Sequence, residues 1–336
     1  MSSNGARFLG IDVGGTKVEV AALVDSTAVD PVQAPTALDS TEALVDGIEQ
    51  LTQQVIDKHG APEAIGVGVP SQIDFATGTV ISSVNIPLEG VPLRDELERR
   101  FGVPVYVDND ANCAALAEAE RVEDGPAQHL VMLTLGTGVG GGIIIDGRIF
   151  RGATGLGAEL GHVVLNAHGP ECPGKCPNRG CLEAYCSGTA LGRAATSFAS
   201  GHPDSALAQA ADDEGHVSGV HVVELARRGD DAARRLLTDL GTWLGVGIAS
   251  FVNVFEPEYL VIGGGLSVAA DLFLDTAISE AASRALPAGF QRVRISTAKG
   301  GPHAGVIGAG LLARKEQARS GAEGDTARSS SLEGGR

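Results

Sequence analysis

The sequence has 336 residues, too many for one ordinary hydrophobic core and suited to two domains of roughly 100–200 residues each. Hydrophobic residues make up 43% and charged residues 20%, a globular composition that excludes wholesale disorder and fibrous architectures. Its 42 acidic residues outnumber 25 lysines and arginines, and the resulting net charge of −17 argues against nucleic acid or an anionic membrane as the main partner.

The first half of the chain opens with a predicted strand–turn–strand unit. Strand Phe8–Val13 leads into the glycine turn 14–16, and the alternating apolar residues of Lys17–Val24 predict a returning strand. Hydrophobic periodicity then predicts helices at Thr41–His59 and Leu93–Phe101. It predicts strands at Ala64–Val69 and 103–107, each after one of these helices. Asp108-Asn109-Asp110 follows, before a helix that runs through Glu120.

The opening pattern recurs in the second half. An apolar strand at 129–135, a glycine-rich turn at 136–142 and a strand at 143–145 repeat it, which suggests an internally duplicated fold with one phosphate-gripping hairpin per half. The remaining predicted elements are helices at 189–200, 220–228 and Asp231–Phe255, strands at 259–262 and 292–297, and a helix at 304–315. Gly263-Gly264-Gly265 follows the first of those strands, and the tail 317–336 lacks periodicity and is expected to be disordered.

The chain has 47 glycines, a share roughly twice the ordinary one. Such an excess is typical of tight turns and of backbone that a ligand approaches closely, and the glycine turns therefore point to phosphate binding. Gly136-x-Gly138-x-x-Gly141 fits the dinucleotide-binding expression, but a strand follows it where a Rossmann site needs a helix, and no P-loop motif occurs. A hairpin turn can still bind phosphate oxygens through exposed amides and the Thr16 or Thr137 hydroxyl. These turns could also be plain hairpin turns. Two of them in matching places, with the triple glycine, favour a nucleotide site.

The cysteine-rich loop carries the clearest metal signal. His162-x9-Cys172-x3-Cys176-x4-Cys181 supplies one imidazole and three thiolates, the ligand set of a closed tetrahedral zinc site. The prolines and glycines of this stretch cannot build a helix, and zinc–thiolate bonds can supply the free energy that shapes it. The alternative is a set of unconnected reduced thiols. Cys186 is the substitute should Cys172 not be a ligand.

Four motifs carry a resemblance to a known family. They are Asp12-Val13-Gly14-Gly15-Thr16-Lys17, Asn109-Asp110-Ala111-Asn112, Glu159-Leu160-Gly161-His162 and Gly180-Cys181-Leu182-Glu183. In order and spacing the sequence resembles the ROK family of sugar kinases and repressors, and is most similar to its bacterial ATP-dependent glucokinases. It departs from the family's Cys-x-Cys-Gly-x-x-Gly-Cys pattern by two additional residues between the first cysteines and by Pro177 in place of glycine. No DNA-binding helix-turn-helix precedes Asp12, which disfavours the repressor branch.

The resemblance implies an α/β fold of the actin-like ATPase (ribonuclease H-like) type, duplicated, with two α/β domains around a cleft that holds sugar below ATP. We expect a small lobe formed by 1–110 and 301–316, and a large lobe formed by 111–300 that contains the zinc loop 162–186. Hinges are expected near Asp110 and Gly300.

Asp110 is the expected general base. It would accept the proton of the sugar's primary hydroxyl while that oxygen attacks the γ-phosphoryl group. An aspartate at this place could instead serve as a helix N-cap, and the two roles are compatible. Asp108 is the alternative base. The resemblance places Asn109 beside the base and assigns the ring hydroxyls to Glu159, His162 and Glu183.

Three cofactors or co-substrates follow. ATP is expected at Asp12, Gly14, Gly15, Thr16, Lys17, Gly136, Thr137, Gly138, Gly263, Gly264 and Gly265. Mg²⁺ would be held mainly by the phosphates, with Asp12 as its carboxylate ligand, although Asp12 could simply accept bonds from the neighbouring turn. Zinc would be structural, and if His162 binds it through one ring nitrogen, the other nitrogen can donate to a sugar hydroxyl.

These observations predict a glucokinase that makes a sugar 6-phosphate. The alternatives are a kinase for fructose, mannose or N-acetylmannosamine, and a non-catalytic sugar-sensing protein; polyphosphate as the donor also stays open. The family suggests a homodimer or homotetramer, with small-molecule sugar and ATP as partners and neither nucleic acid nor membrane. No apolar run approaches the ~20 residues of a membrane span and no secretory leader is evident, so a cytoplasmic location is expected.

Overall fold

The computed structural model describes residues 7–333, with side chains except those of Pro302 and of 323–333. Its strands are β1 (Phe8–Val13), β2 (Lys17–Val24), β3 (Thr27–Pro35), β4 (Ala64–Val69), β5 (Ser71–Asp74), β6 (Thr79–Ser83), β7 (Val105–Asn109), β8 (Leu130–Leu135), β9 (Val139–Ile145), β10 (Arg148–Ile149), β11 (Tyr259–Gly263) and β12 (Arg294–Thr297). Its α-helices are α1 (Thr41–His59), α2 (Leu93–Phe101), α3 (Asp110–Ala119), α4 (Glu183–Cys186), α5 (Gly188–Gly201), α6 (Ala206–Gln209), α7 (Gly219–Arg227), α8 (Asp231–Phe255), α9 (Leu274–Arg284), α10 (Pro287–Phe290) and α11 (Ala304–Glu333). Short 3₁₀ helices lie at Leu160–His162, Gly265–Leu272 and Gly301–His303.

The chain divides into two compact units, each with its own hydrophobic core. Unit 1 contains the described residues up to Pro126, the segment Ile149–Gly157 and the described residues from Gly300 onward. Unit 2 contains Ala127–Arg148 and Ala158–Lys299. The sequence predicted a small lobe formed by 1–110 and 301–316 and a large lobe formed by 111–300. The structure also assigns α3 to unit 1, because α3 packs along α11.

The sheet of unit 1 has the strand order β3-β2-β1-β4-β7. Strands β1, β2 and β3 are antiparallel neighbours, whereas β4 and β7 run parallel to β1. Leu9, Ile11 and Val13 of β1 are completely buried in the core of the unit. Strand β3 was not predicted from the sequence. It contains Pro31, which is tolerated there because β3 lies at the sheet edge.

The sheet of unit 2 has the order β10-β9-β8-β11-β12. Strands β8 and β9 form an antiparallel hairpin, and β11 and β12 continue the sheet in parallel with β8. The sheet of each unit therefore contains a central antiparallel hairpin, with an edge strand on one side of it and two parallel strands on the other. This correspondence confirms the internal duplication that the repeated strand–glycine–strand pattern predicted.

Helix α11 packs unusually close to the sheet of unit 1. A Cβ atom added to Gly10 would lie 1.9 Å from the carbonyl oxygen of Val306, and one added to Gly66 would lie 1.8 Å from that of Ala309. Only glycine permits this approach, because any side chain would collide with the helix backbone. The packing brings the first turn of α11 to the carboxyl end of β1.

Helix α11 also continues beyond its predicted end at residue 315 and runs to Glu333. The Tyr106 hydroxyl donates to Oε1 of Gln317 at 3.0 Å and lies 3.3 Å from Oγ of Ser320. These contacts hold the first turn of the segment 317–336, for which the sequence predicted disorder from the lack of periodicity. Residues 334–336 of that segment lie outside the described part of the chain.

Helix α8 forms the centre of unit 2. The Asp230 carboxylate caps it by accepting the Ala233 N–H at 2.8 Å, and side chains such as Leu237, Leu244 and Ile248 are completely buried. The helix is long and apolar enough to cross a membrane, but more than half of that apolar stretch is buried inside the unit. Its apolar character therefore matches that of a core helix.

Candidate functional site

The first glycine turn joins β1 to β2. The N–H of Gly14 donates to the carbonyl of Lys17 at 2.8 Å, and the hydroxyl of Thr36 donates to the carbonyl of Gly14 at 2.7 Å. The N–H of Thr36 also donates to the carbonyl of Thr16, at 3.1 Å. Thr36, directly after β3, thus stabilises the turn through two hydrogen bonds. The Thr16 side chain stays exposed.

A cluster of ionisable side chains lies beside this turn. Asp12 and Glu19 face each other across the β1–β2 pair, and the Asp12 carboxylate lies against Gly305, where an added Cβ would be 2.2 Å from Oδ2. Glu19 is almost completely buried and binds Nζ of Lys17 at 3.0 Å and Nδ1 of His303 at 2.5 Å. Sequence reasoning missed Glu19 and His303, although a charged residue between Val18 and Val20 of an apolar strand was an available signal.

The pKa of Asp12 is strongly perturbed. Burial raises it from 3.8 to about 7, and repulsion from the carboxylates of Asp110 and Glu19 adds to the shift, while Lys17 opposes it. Asp12 and Asp110 therefore lie close enough within unit 1 for their carboxylates to repel each other. A divalent cation would favour the ionised form of Asp12, and its carboxylate oxygens are the ligands that Mg²⁺ takes.

Asn109 and Asp110 lie where β7 turns into α3. Asn109, and not Asp110, is the N-cap of α3: its Oδ1 accepts the N–H of Ala111 at 2.9 Å, and its Nδ2 donates to the carbonyl of Ser71 at 3.3 Å. The N-cap role considered for Asp110 is therefore wrong by one residue. Asp110 is the first helical residue and also accepts the Ala111 N–H, at 2.8 Å. Burial raises its pKa, and this hydrogen bond partly offsets the rise.

Asp108, the alternative base, has another role. It is buried, and its Oδ2 accepts from Nε of Arg151 at 2.6 Å. Its Oδ1 accepts from the N–H of Asn109 and from Nδ2 of Asn112, both at 2.8 Å. Asp108 is thus occupied by an ion pair and two hydrogen bonds, whereas Asp110 has no ion-pair partner among the described residues.

The second glycine turn joins β8 to β9 in unit 2. The N–H of Gly136 donates to the carbonyl of Gly138 at 2.9 Å. Oε2 of Glu183 accepts the N–H of Val139 at 2.8 Å, and a Cβ added to Gly138 would lie 2.4 Å from the same oxygen. Glu183, which sequence reasoning assigned to the sugar, thus also supports this turn from the start of α4.

The triple glycine lies at the end of β11. Gly264 has a φ of +83°, and a Cβ there would lie 2.4 Å from the carbonyl oxygen of Leu135 at the end of β8. Gly263 packs against Met132 and Ala298, while Gly265 opens a 3₁₀ helix with free space around its Cα. The three glycines thereby let the chain leave β11 close to the second turn.

A cavity of about 860 Å³ opens in unit 2 next to this turn. It is lined by Gly136 and Thr137 and by the first residues of two helices and a 3₁₀ helix, including Thr189, Ser218 and Gly265. Its volume lies in the range of small-molecule sites. Sequence reasoning found the turn and Gly265 but missed the two helix starts, although Ser-Gly at both 187–188 and 218–219 was a repeated signal.

The two helix starts contact the turn and each other. The N–H of Gly188 donates to the carbonyl of Gly136 at 2.8 Å, and the Thr189 hydroxyl donates to that of Thr137 at 2.8 Å. A Cβ added to Gly219 would lie 3.0 Å from the carbonyl oxygen of Gly188. Hydrogen bonds therefore join the start of α5 to the second glycine turn, and the start of α7 packs against that of α5.

The structure brings together the four predicted zinc ligands. One donor atom each of His162, Cys172, Cys176 and Cys181 lies within 4.8 Å of the others, and Cys172 Sγ is 3.5 Å from Nδ1 of His162. Three thiols and an imidazole at this spacing suit tetrahedral zinc, so the residues fit the metal. Cys186 lies elsewhere: its thiol is buried in the core and faces the carbonyl of Leu240 at 3.6 Å.

The cysteine loop is held by backbone contacts despite its lack of helix. Gly180 has a φ of +64° and packs onto Asn166, and its N–H donates to the carbonyl of Pro170 at 2.7 Å. Next to the loop, the N–H of His162 donates to the carbonyl of Glu159 at 3.0 Å within a 3₁₀ turn. Glu159, His162 and Glu183 thus lie in unit 2, and Asn109 and Asp110 in unit 1.

Comparison with known proteins finds one family over nearly the whole chain. The family model described as "ROK family" matches residues 8–316. The chain is 35% identical over 316 residues to a glucokinase of Halalkalibacterium halodurans, covering 92% of this chain and 96% of that protein. The matched range includes all four motifs named above.

The solved structures that are similar in three dimensions include two from this family. A ROK hexokinase from Thermus thermophilus superimposes with a TM-score of 0.80 at 32% identity, covering 93% of this chain and 99% of that one. A ROK family glucokinase from Streptomyces griseus, in complex with glucose and AMPPNP, gives a TM-score of 0.75 at 33% identity, covering 92% and 99%. The fold is therefore the duplicated actin-like ATPase fold of these proteins.

Proposed function

The chain belongs to the ROK family, and from that membership we propose that it is a glucokinase, which transfers the γ-phosphoryl group of ATP to the 6-hydroxyl of glucose. The observation that carries the proposal is the pair of carboxylates Asp110 and Asp12 in unit 1. Asp110 has no ion-pair partner among the described residues, and Asp12 lies beside the first glycine turn. The similarity to glucokinases over more than nine-tenths of the chain supports it.

Asp110 is the proposed general base. As O6 of the sugar forms its bond to the γ-phosphorus, the bond from that phosphorus to the bridging oxygen of ADP breaks, and the O6 proton passes to the Asp110 carboxylate. The raised pKa of Asp110 makes its ionised form a better proton acceptor. Its place in the first turn of α3 fixes the direction of the carboxylate.

The phosphates are proposed to bind at the two glycine turns. Amides of Gly15 and Thr16 in one unit and of Thr137 and Gly138 in the other would donate to phosphate oxygens, with Lys17 supplying positive charge. The amides of Gly14 and Gly136 already donate to carbonyls within their own turns. Mg²⁺, held by the phosphates and Asp12, would neutralise charge on the transferring group. The base of the nucleotide would occupy the cavity that begins at Gly136 and Thr137.

The sugar ring is proposed to bind Asn109, Glu159, His162 and Glu183. Carboxylates and amides pair with adjacent hydroxyls, and an unpaired acceptor penalises a wrong epimer. In the cysteine cluster it is Nδ1 of His162 that faces Cys172. Zinc bound there would leave Nε2 protonated and able to donate to a sugar hydroxyl.

A coupled assay with ATP tests the function. We expect phosphorylation of glucose in preference to fructose, mannose and N-acetylmannosamine, and no comparable rate with polyphosphate. Preference for another hexose would move the assignment to a different kinase of the family. Absence of turnover with every sugar would instead favour a non-catalytic sugar-sensing protein.

Asp110→Asn tests the base. It should lower kcat by more than tenfold, with glucose affinity largely kept, because the amide cannot take the proton. Asp95→Asn is the matched control, since Asp95 is an exposed aspartate in the first turn of α2 in the same unit. If D110N keeps more than about a tenth of the activity, the assignment of the base fails.

A further inference from the structure

Arg151 is a nearly buried arginine whose guanidinium is fixed on three sides. Its side chain is 11% exposed. Nε donates to Oδ2 of Asp108 at 2.6 Å, and Nη2 donates to Oε1 of Glu316 on α11 at 3.0 Å. The guanidinium also stacks on Phe75, with its carbon 3.5 Å from the ring centroid. Nothing in the proposed reaction uses this arginine directly.

Asp108 connects this arginine to the start of α3. While Oδ2 binds Arg151, Oδ1 accepts the Asn109 N–H and the Asn112 side-chain amide, each at 2.8 Å. These two donors stand immediately before Asp110 and two residues after it. The buried carboxylate therefore holds the peptide N–H just before the proposed base and the side chain of Asn112 just after it.

We propose that Arg151 is a positioning residue for Asp110, acting through Asp108. The inference rests on the proposed function, in which Asp110 takes the proton of the sugar hydroxyl. A guanidinium presents its donors in a rigid planar fork, so that fixing it against Glu316 and Phe75 also fixes Asp108. Asp108 passes this constraint to the peptide of Asn109, and a small displacement of a catalytic group is enough to slow the reaction.

Arg151→Lys is the primary test. Lysine keeps the charge but has one compact ammonium, which cannot reproduce the fork to Asp108 and Glu316 or the stacking on Phe75. We expect kcat to fall about tenfold or more, with the glucose Kd measured by calorimetry changing less than about threefold. A fall in melting temperature with kcat unchanged, or weaker glucose binding with kcat unchanged, would overturn the proposal.

Arg100→Lys is the matched control. Arg100 is another arginine of unit 1 with a mostly buried side chain, 15% exposed, and it pairs with Asp46, Glu49 and Glu96 away from α3. We expect this variant to lower the melting temperature and leave kcat unchanged. An equal loss of kcat in both variants would show a general effect of loosening the unit and would also overturn the proposal.

Asp108→Asn gives a second measurement should R151K not fold. It keeps the shape and an acceptor for the Asn109 N–H but removes the charge that faces Arg151. We expect a loss of kcat again, and the double variant to be no worse than the more impaired single one, because both act in one chain of contacts. Additive losses would mean that Arg151 does not act through Asp108. If wild-type enzyme phosphorylates sugar and D110N is inactive, these outcomes bear on Arg151 alone.

Discussion

Oε2 of Glu183 accepts the backbone N–H of Val139 at 2.8 Å, while Oε1 of the same carboxylate lies 3.7 Å from the thiol of Cys172. One side chain therefore contacts both the second glycine turn and the proposed zinc cluster. Glu183 therefore links the cysteine cluster to the turn by direct contacts.

Removing this carboxylate should affect the turn as well as the sugar. Glu183→Ala leaves the buried N–H of Val139 without its acceptor, which costs about 1–3 kcal/mol. We expect a lower melting temperature and faster amide hydrogen exchange at Val139. Glu183→Gln is the control, because its side-chain oxygen can still accept this bond. Equal exchange rates at Val139 in E183A and the wild type would contradict the supporting role.

Two glycines of the second turn should respond differently to alanine. A Cβ at position 138 would lie 2.4 Å from Oε2 of Glu183, whereas one at Gly136 meets nothing within 4 Å. Gly138→Ala should lower the melting temperature, because overpacking costs about 1–3 kcal/mol, while Gly136→Ala should leave it nearly unchanged. Thermal unfolding of the two variants checks this, and similar values for both would show that the Glu183 side chain simply moves aside.

The cysteines should separate into ligands and a core residue. Cys172→Ala should abolish stoichiometric zinc binding and destabilise the loop, because a closed zinc site needs its fourth ligand. Cys186→Ala is the matched control: its thiol lies in the apolar core, so zinc content should stay at one per chain. Metal analysis by mass spectrometry, paired with melting temperatures, distinguishes them. Loss of zinc in C186A with retention in C172A would reverse the assignment.

Asp12 should make the protein less stable as the pH rises from 3.8 to about 7. Its pKa is raised to about 7 by burial and by the nearby carboxylates, so the folded state holds a proton that the unfolded chain has released. The stability contributed by this proton is complete below the unfolded pKa and is lost as the pH rises through the folded one. Without added magnesium, the melting temperature of D12N relative to wild type should therefore increase across this window.

Asp95→Asn serves as the comparison for this titration. Asp95 is exposed at the start of α2, so its substitution should shift the melting temperature by a similar amount at every pH in the window. A D12N difference that stays constant from pH 4 to pH 7 would show that Asp12 titrates normally in the folded protein.

The local sequence pattern was sufficient to predict those parts of the structure that are formed by residues close together in the chain. Hydrophobic periodicity predicted β1, β2, β4 and α8, and the repeated strand–glycine–strand pattern predicted the duplicated topology. The cysteine spacing predicted which thiols meet His162. These features are readable because the atoms that define them lie within one strand, one turn or one loop of the chain.

Long-range packing decided the rest. The Arg151–Asp108 pair joins residues 43 apart in sequence and the His303–Glu19 pair residues 284 apart, and neither leaves a local signature. The cavity in unit 2 exists because separate helix starts converge on one turn, and the distinction between Cys172 and Cys186 depends on which thiol the core encloses. Sequence alone determined the central strands, the glycine turns and the ligand types; the tertiary structure decided which side chains share a buried space, because that depends on how distant segments pack.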